Sequence, residues 1–286
     1  MSRGLVLALA ALLLGAVPAA AADYYTGPLI DAHAHLPNAG TIDAYAAAMK
    51  RNNVRKVVLL GAGGVQPDET EWIEAAVKKY PDLVVAAVRV PDPTKMAAAG
   101  QLDVELARTK ARVVGEVHLR QANLKIERDP SSPAFMKILE LCAQRGVPIV
   151  VHHELTPAAS ANLEAALAAH RAATVVLAHG GAAKPADLER LLARNVNLMV
   201  DLSGMHFQRK PSLATEKGPL DPRWKTLIAK MPDRFVMGLD AWSARLFEPA
   251  MLDRLMTWTR RVLGELPPDA AERVAWKNAS VLYQID

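Results

Sequence analysis

The sequence predicts a (β/α)8 barrel, the TIM-barrel architecture, and three observations carry that prediction. Eight short runs rich in Val, Ile, Leu and Ala recur along the 286 residues. Helical stretches separate most of them. The runs start roughly 25–40 residues apart, the length of a strand and its crossover helix. Hydrophobic residues make up 51% of the chain and charged residues 22%, which excludes a disordered or collagen-like polymer. Aromatics reach only 5%, so the core must rest on branched aliphatic side chains rather than aromatic cross-strand pairs.

The runs occupy residues 28–36, 54–61, 83–90, 113–119, 147–153, 174–180, 196–203 and 235–242. Each is mostly apolar, as a strand covered on both faces must be. Between the second and third, residues 70–80 place Trp72, Ile73, Ala76 and Val77 on one helical stripe. Ser132 before Pro133 reads as an N-cap, and Gly146 as the stop of the same helix. Thr156 before Pro157 opens another, which carries Leu163, Ala166 and Leu167. A doubly wound open sheet competes with the barrel. It would need a glycine-rich phosphate loop after the first strand, where Asp31-Ala-His-Ala-His-Leu36 stands instead. Glycines at 61, 63 and 64 form a lone loop, adequate as a turn.

Residues 1–22 have a different character. Arg3, a short apolar core over 5–17 and Ala20-Ala21-Ala22 before Asp23 form the layout of a cleavable export signal. The apolar core falls short of the roughly 20 residues that cross a bilayer. The expected product is a periplasmic or secreted protein of one domain over residues 23–286, without a membrane anchor once the signal is cleaved. A net charge of +4, from 34 basic and 30 acidic residues without a basic run, argues against a nucleic-acid partner. The lone cysteine, Cys142, excludes an intramolecular disulfide and any thiolate-rich metal site. On its helix it reads as a buried, inert thiol.

Metal chemistry must then come from carboxylates and eight histidines. Reactive residues of this fold sit at the C-terminal ends of strands. His33 and His35 end the first run, His118 the fourth, His152 and His153 the fifth, and His179 the sixth. Asp240 ends the eighth, and only His170 and His206 fall elsewhere. Side chains alternate along a strand, so His33 and His35 project from one face and can chelate one ion at about 2.1 Å each. The alternative for that pair is a hydrogen-bonded structural couple. Asp31 is expected on the same face, orienting the imidazoles. Glu116 shares a face with His118 and could bridge a second ion or complete the first shell; its alternative is a buried ion pair. His152 and His153 point to opposite faces. Asp240 reads as a metal ligand and general base, or else as a helix N-cap. Ser203 lacks a G-x-S-x-G elbow, which argues against a serine nucleophile.

These residues resemble the amidohydrolase superfamily, in its amidohydrolase-related branch of metal-dependent barrel enzymes. The resemblance rests on Asp31-Ala-His33-Ala-His35-Leu, Gly115-Glu116, Val150-Val-His152-His-Glu154, Leu177-Ala-His179-Gly-Gly and Phe235-Val-Met-Gly-Leu-Asp240. The ending Lys277-Asn-Ala-Ser-Val-Leu-Tyr283 is similar too, so the likeness spans residues 28–284. It implies a divalent metal, zinc by preference, held as one or two ions by His33, His35, Glu116, His152, His179 and Asp240. His152 rather than His153 is the implied ligand, with Glu154 behind it. Asp240 and His179 are the implied catalytic residues, the latter as a second-ion ligand or a group polarising the substrate. Where many binuclear members carry a carbamylated lysine, this chain has Glu116. The implied activity is hydrolysis of a small ester, lactone or amide by metal-activated water. The same branch implies a decarboxylase as the alternative, and a non-catalytic metal or solute binder is a third reading. Loop residues expected around a small-molecule pocket are Arg89, Arg120, Met205, His206, Phe207, Trp242 and Arg245.

Overall fold

The computed structural model describes residues 24–62, 69–90 and 92–285. The expected export signal and the glycines at 63 and 64 lie outside the described residues. All eight apolar runs contain strand: β1 (Leu29–Ala34), β2 (Val54–Leu59), β3 (Val84–Ala86), β4 (Val114–Gln121), β6 (Ile149–His153), β7 (Val175–Leu177), β8 (Leu198–Asp201) and β9 (Phe235–Val236). A two-residue β5 (Ile126–Glu127) folds back antiparallel on β4, with Arg120 opposite Glu127. The other pairings are all parallel, in the orders β1-β2-β3 and β4-β6-β7-β8-β9.

Two seams join these sheets into a barrel. At one, the Val88 N–H donates to Val113 O at 2.9 Å and the Gly115 N–H donates to Val88 O at 2.9 Å. At the other, the Ala32, Asp240 and His35 N–H groups donate to Met237, His33 and Ala241 carbonyls at 3.0, 2.8 and 2.8 Å. A (β/α)8 barrel follows, with β1 beside the extension of β9.

Helices alternate with the strands: α1 (Ile42–Arg51), α2 (Glu69–Lys79), α3 (Ala98–Thr109), α4 (Pro133–Arg145), α5 (Pro157–Ala169), α6 (Pro185–Arg194), α7 (Pro222–Lys230) and α8 (Pro249–Gly264). Their ends follow local chemistry. Ser132 Oγ accepts the Phe135 N–H at the start of α4, and Gly146 ends it at φ 62°. Thr156 Oγ1 accepts the Ala159 N–H at the start of α5. No helix among the described residues is long and apolar enough to cross a membrane.

Two apolar layers fill the structure. Ile30, Ala32, Val58, Leu60, Val113, Val150, Val176 and Val236 pack together inside the barrel. Tyr283 and Ile285 of the C-terminal segment join them, and neighbouring Gln284 accepts from Arg112, which precedes β4. The chain end therefore plugs the N-terminal mouth, leaving the opposite mouth for chemistry. The larger layer lies between strands and helices, with Val57, Leu102, Ile138, Leu163, Leu188 and Leu252 among its members. Each such aliphatic side chain contributes about 1.5–3 kcal/mol by leaving water.

Two expectations need correction. Strict alternation would put Asp31 on the face of His33 and His35, but the β1–β2 register shifts between Asp31 and Ala34. Ile30 and Ala32 fill the interior, and Asp31 turns to the helix layer, where it accepts the Tyr45 hydroxyl of α1. A bulge of this kind re-aims side chains, so Asp31 ties β1 to α1 and, through the Leu239 N–H at 2.8 Å, to the end of β9. Strands β7 and β9 are also shorter than their runs. His179, Gly180, Gly181 and Ala182 take left-handed φ values of 52–58°, and Asp240 takes 51°. The chain thus leaves the sheet just where His179 and Asp240 are displayed. Non-glycine residues held in this region concentrate at functional sites.

Candidate metal centre

At the C-terminal mouth the six residues singled out in sequence converge. Each is brought by a different strand or the residues just after it, except His33 and His35, which share β1 and its end; Glu116 sits within β4. Nε2 of His33 and Nε2 of His35 lie 3.1 Å apart. Glu116 Oε2 stands 3.6 Å from the first and 3.3 Å from the second, while Asp240 Oδ1 is 3.8 Å from both. The other oxygen of Glu116 meets His152 Nδ1 at 3.0 Å and His179 Nε2 at 3.3 Å. His33, His35, Glu116, His152 and Asp240 are buried, and His179 is nearly so.

The donor set fits a divalent cation, and the tautomers show why. His33 Nδ1 bonds Asp201 Oδ2 at 2.6 Å, and His35 Nδ1 bonds the Leu60 carbonyl at 2.7 Å. Both partners are acceptors, so each Nδ1 carries a proton, and in the neutral ring each Nε2 keeps its lone pair. Two such lone pairs 3.1 Å apart repel unless a proton or a metal ion lies between them. Ligand atoms about 2.1 Å from a tetrahedral ion stand roughly 3.4 Å from one another, close to the spacings here. His179 is held the same way, its Nδ1 donating to Ser203 O at 2.9 Å and its Nε2 turned toward Glu116 and Asp240. Among the described residues, three groups have ligand atoms mutually within 4.8 Å: His33–His35–Asp240, His33–Glu116–His179 and Glu116–His118–His152.

Electrostatics agree. Burial alone would raise Glu116, but the charge of His33 and hydrogen bonds from His152 and His179 hold it well below the usual carboxylate range. Burial likewise opposes a charge on His33 and His35. Asp201 and Glu116 outweigh it at His33, and Glu116 with Glu69 lifts His35 to about 9. Buried carboxylates thus demand positive charge at this spot. Two Nε2 atoms in contact can share only one proton, whereas a divalent ion meets both.

The neighbouring residues sort themselves. His118 stacks on His152, with ring centroids 5.0 Å apart and planes 14° apart, and its Nε2 is 3.7 Å from Glu116. Burial lowers it to about 4, leaving a neutral ring. His153 turns away to donate from Nε2 to Ala159 O at 3.1 Å, so His152 is the histidine that faces the cluster. Glu154 stands 3.9 Å from His152 Nε2. Ser203 is fully buried, its Oγ donating to Asp201 at 2.8 Å, which removes it as a nucleophile toward any substrate.

A small pocket of about 80 Å³ opens over the cluster, lined by His152, Glu154, His179, Gly204, Met205, Arg209 and Lys210. Of the loop residues expected there, Met205 is the one that lines it. Arg120 pairs with Glu127 and Glu154, Arg245 with Gln208, and Arg89 borders a separate cavity between α2 and α3. Trp242, half exposed, and Phe207, packed on Trp258, lie outside the lining. His206 packs on Phe207 and Trp258 and is lowered to about 4 by burial.

Sequence reasoning missed four residues. Asp201 ends β8 much as Asp240 follows β9, a signal that was there to read. Glu69 is wholly buried, with Oε1 3.5 Å from His35 Nδ1 and Oε2 accepting the Ala62 N–H at 2.6 Å. Arg209 closes on Asp240. Gly204, at φ 67°, underlies Arg209, Asp240 and His179.

A parallel barrel with a histidine–carboxylate cluster at its C-terminal mouth defines a class of barrel built around a metal-capable centre. Within it the chain belongs to the amidohydrolase family, whose model matches residues 30–285. No curated protein matches the sequence. Among solved structures, an uncharacterised TIM-barrel protein from Bordetella bronchiseptica is similar at TM-score 0.69 and 15% identity, over 90% of this chain and 99% of that one. A 5-carboxyvanillate decarboxylase from Sphingomonas paucimobilis gives 0.62 and 14%, over 91% and 99%. A dihydroxybenzoic acid decarboxylase from Polaromonas, with bound manganese and the inhibitor 2-nitroresorcinol, gives 0.60 and 13%, over 91% and 97%. At such identities the likeness is one of fold.

Proposed function

We propose that the protein is a metal-dependent hydrolase of a small ester, lactone or amide. The observation that carries the metal is the 3.1 Å approach of two imidazole nitrogens, each held toward the carboxylates by an Nδ1 hydrogen bond on its far side. His33, His35 and Asp240 would hold the ion, with Glu116 and His179 beside them and His152 reaching it through Glu116. A bound divalent ion supplies Lewis acidity toward a carbonyl oxygen and toward water. The protein's own residues do the rest. Burial would raise Asp240, but the charges of His179, His33 and Arg209 hold it below the usual carboxylate range. It is therefore ionised at neutral pH and placed to take a proton, with Oδ2 3.7 Å from His179 Nε2 and bonded by Arg209. His179 lines the pocket and would orient the group under attack.

One observation favours the second reading, a decarboxylase. Arg209 and Lys210 bring two cations to the wall of a small pocket, where a substrate carboxylate would be held. The decarboxylases of similar fold act on carboxylated phenols, judging from the compounds that name them. The histidine-rich donor set suits zinc, and manganese is the ion bound in the Polaromonas enzyme.

The test is an assay of purified protein against lactone, ester, amide and carboxylated-phenol panels, with and without chelator, beside elemental analysis. Chelator-sensitive cleavage of a lactone, ester or amide is the expected result. Release of carbon dioxide without such cleavage selects the second reading, and activity indifferent to chelator refutes both. We further propose export through residues 1–22. Mass spectrometry of the mature protein should then find Asp23 at its start, and an intact Met1 would refute it.

A further inference from the structure

We infer that Asp201 and Ser203 form one bracket that positions two metal-facing histidines from different strands, and so sets the affinity of the centre. This rests on the metal reading above and extends it to residues outside the ligand set. Asp201 ends β8. Its Oδ2 accepts a hydrogen bond from His33 Nδ1–H at 2.6 Å, and Ser203 Oγ donates to the same oxygen at 2.8 Å. Its Oδ1 accepts the Ser203 N–H at 2.7 Å, closing a tight turn over Leu202. Ser203 then reaches the other way. Its carbonyl accepts from His179 Nδ1 at 2.9 Å, and its Oγ lies 3.2 Å from the same nitrogen.

Three consecutive residues thus fix the tautomer and ring direction of His33, from β1, and His179, from the turn after β7. Asp201, Ser203 and His33 are buried to within a few per cent, so no water competes for these bonds. A carboxylate on the far nitrogen of a metal-facing histidine raises its basicity and locks its orientation, and losing such a partner costs about 10–100-fold in metal affinity. Sharing one bracket adds coupling. A shift of the 201–203 turn moves both nitrogens at once, so His33 and His179 report on each other.

The experiment measures Zn²⁺ affinity by chelator competition in wild type, Asp201→Asn and Ser203→Ala, with Co²⁺ loading to read ligand geometry from the visible spectrum. Melting temperature of the metal-free proteins checks folding separately. Asp201→Asn is expected to weaken Zn²⁺ about 10–100-fold and to alter the Co²⁺ spectrum. Ser203→Ala, which keeps the backbone carbonyl, should weaken Zn²⁺ less, while still shifting that spectrum. A purely structural role would lower the metal-free melting temperature and leave affinity and spectrum of the folded fraction alone. Wild-type affinity and spectrum in folded Asp201→Asn overturn the inference. Should that variant not fold, Ser203→Ala with both readouts unchanged overturns it instead. Wild-type protein that takes up no divalent ion overturns the metal reading and the bracket together, which separates the two failures.

Discussion

Arg209 donates from its guanidinium to Oδ2 of Asp240, while Oδ1 of the same carboxylate faces Nε2 of His33 and His35 at 3.8 Å each. The two oxygens have different audiences: one looks into the metal cluster, the other into the pocket. A cation can therefore sit on each side of Asp240 at the same time. The side chain of Arg209 is 35% exposed, so part of the guanidinium remains open to a ligand.

Replacing Arg209 by Met should then separate charged from neutral ligands. Hydrogen bonds to charged groups contribute about 1.5–3 kcal/mol, or roughly 10–150-fold in affinity. Calorimetric titration of metal-loaded protein should show benzoate weakened by at least about tenfold in Arg209→Met, with benzamide little changed. Equal losses for both probes would mean that Arg209 shapes the pocket without selecting charge.

Gly204 lies under this contact. A Cβ there would come within 2.7 Å of Arg209 Nη1, 2.7 Å of Asp240 Oδ2 and 3.1 Å of His179 Nδ1, and its φ of 67° is left-handed. Gly204→Ala should cost about 1–2 kcal/mol from backbone strain, read as a lower melting temperature. Because the methyl group enters among groups that face the substrate, activity should fall further than stability does. A variant with wild-type turnover would show that this wall of the pocket is softer than its geometry implies.

What could be read from sequence was whatever obeys local rules. The strand-end positions of His33, His152, His179 and Asp240 follow from apolar runs and the polarity of the barrel. The caps at Ser132 and Gly146 follow from backbone chemistry of neighbouring residues. Asp31 was misread because a register shift breaks the alternation on which its placement depended. Asp201 was legible as a strand-end acid but its pairing with His33, 168 residues away, was not, and Arg209 went unseen because its partner Asp240 is 31 residues away. Such pairs exist only once the barrel closes and the long loop after β8 folds over its mouth.

Away from the site, Cys142 on α4 offers a pH-linked check of the core. Burial pushes its thiol from 9.0 up to about 12. A raised pKa means that the unfolded chain loses this proton first, so stability falls as pH climbs from 9 toward 12. Between pH 8 and 10 the loss is about 1.4 kcal/mol. Urea unfolding of metal-free wild type and Cys142→Ala at the two pH values should show the wild type losing that much relative to the variant. The folded thiol should also resist Ellman's reagent at pH 8. Equal pH slopes, or rapid labelling of folded protein, would contradict a sealed α4 face.

The number of ions follows from lone pairs. Two of the three ligand groups contain His33, and its Nδ1 proton is committed to Asp201, so its single Nε2 lone pair serves one ion. A second ion would need the group without His33, which is Glu116, His118 and His152. There the two rings stack with planes only 14° apart and centroids 5.0 Å apart. Imidazole lone pairs lie in the ring plane, so two offset parallel rings cannot aim at a common point until one turns. Elemental analysis should therefore find one divalent ion per chain in wild type. His118→Phe, which keeps the stacking face and removes both ring nitrogens, should keep that ion, whereas His33→Ala should lose it. Two ions in wild type, falling to one in His118→Phe, would show that His152 or His118 rotates to complete a second site.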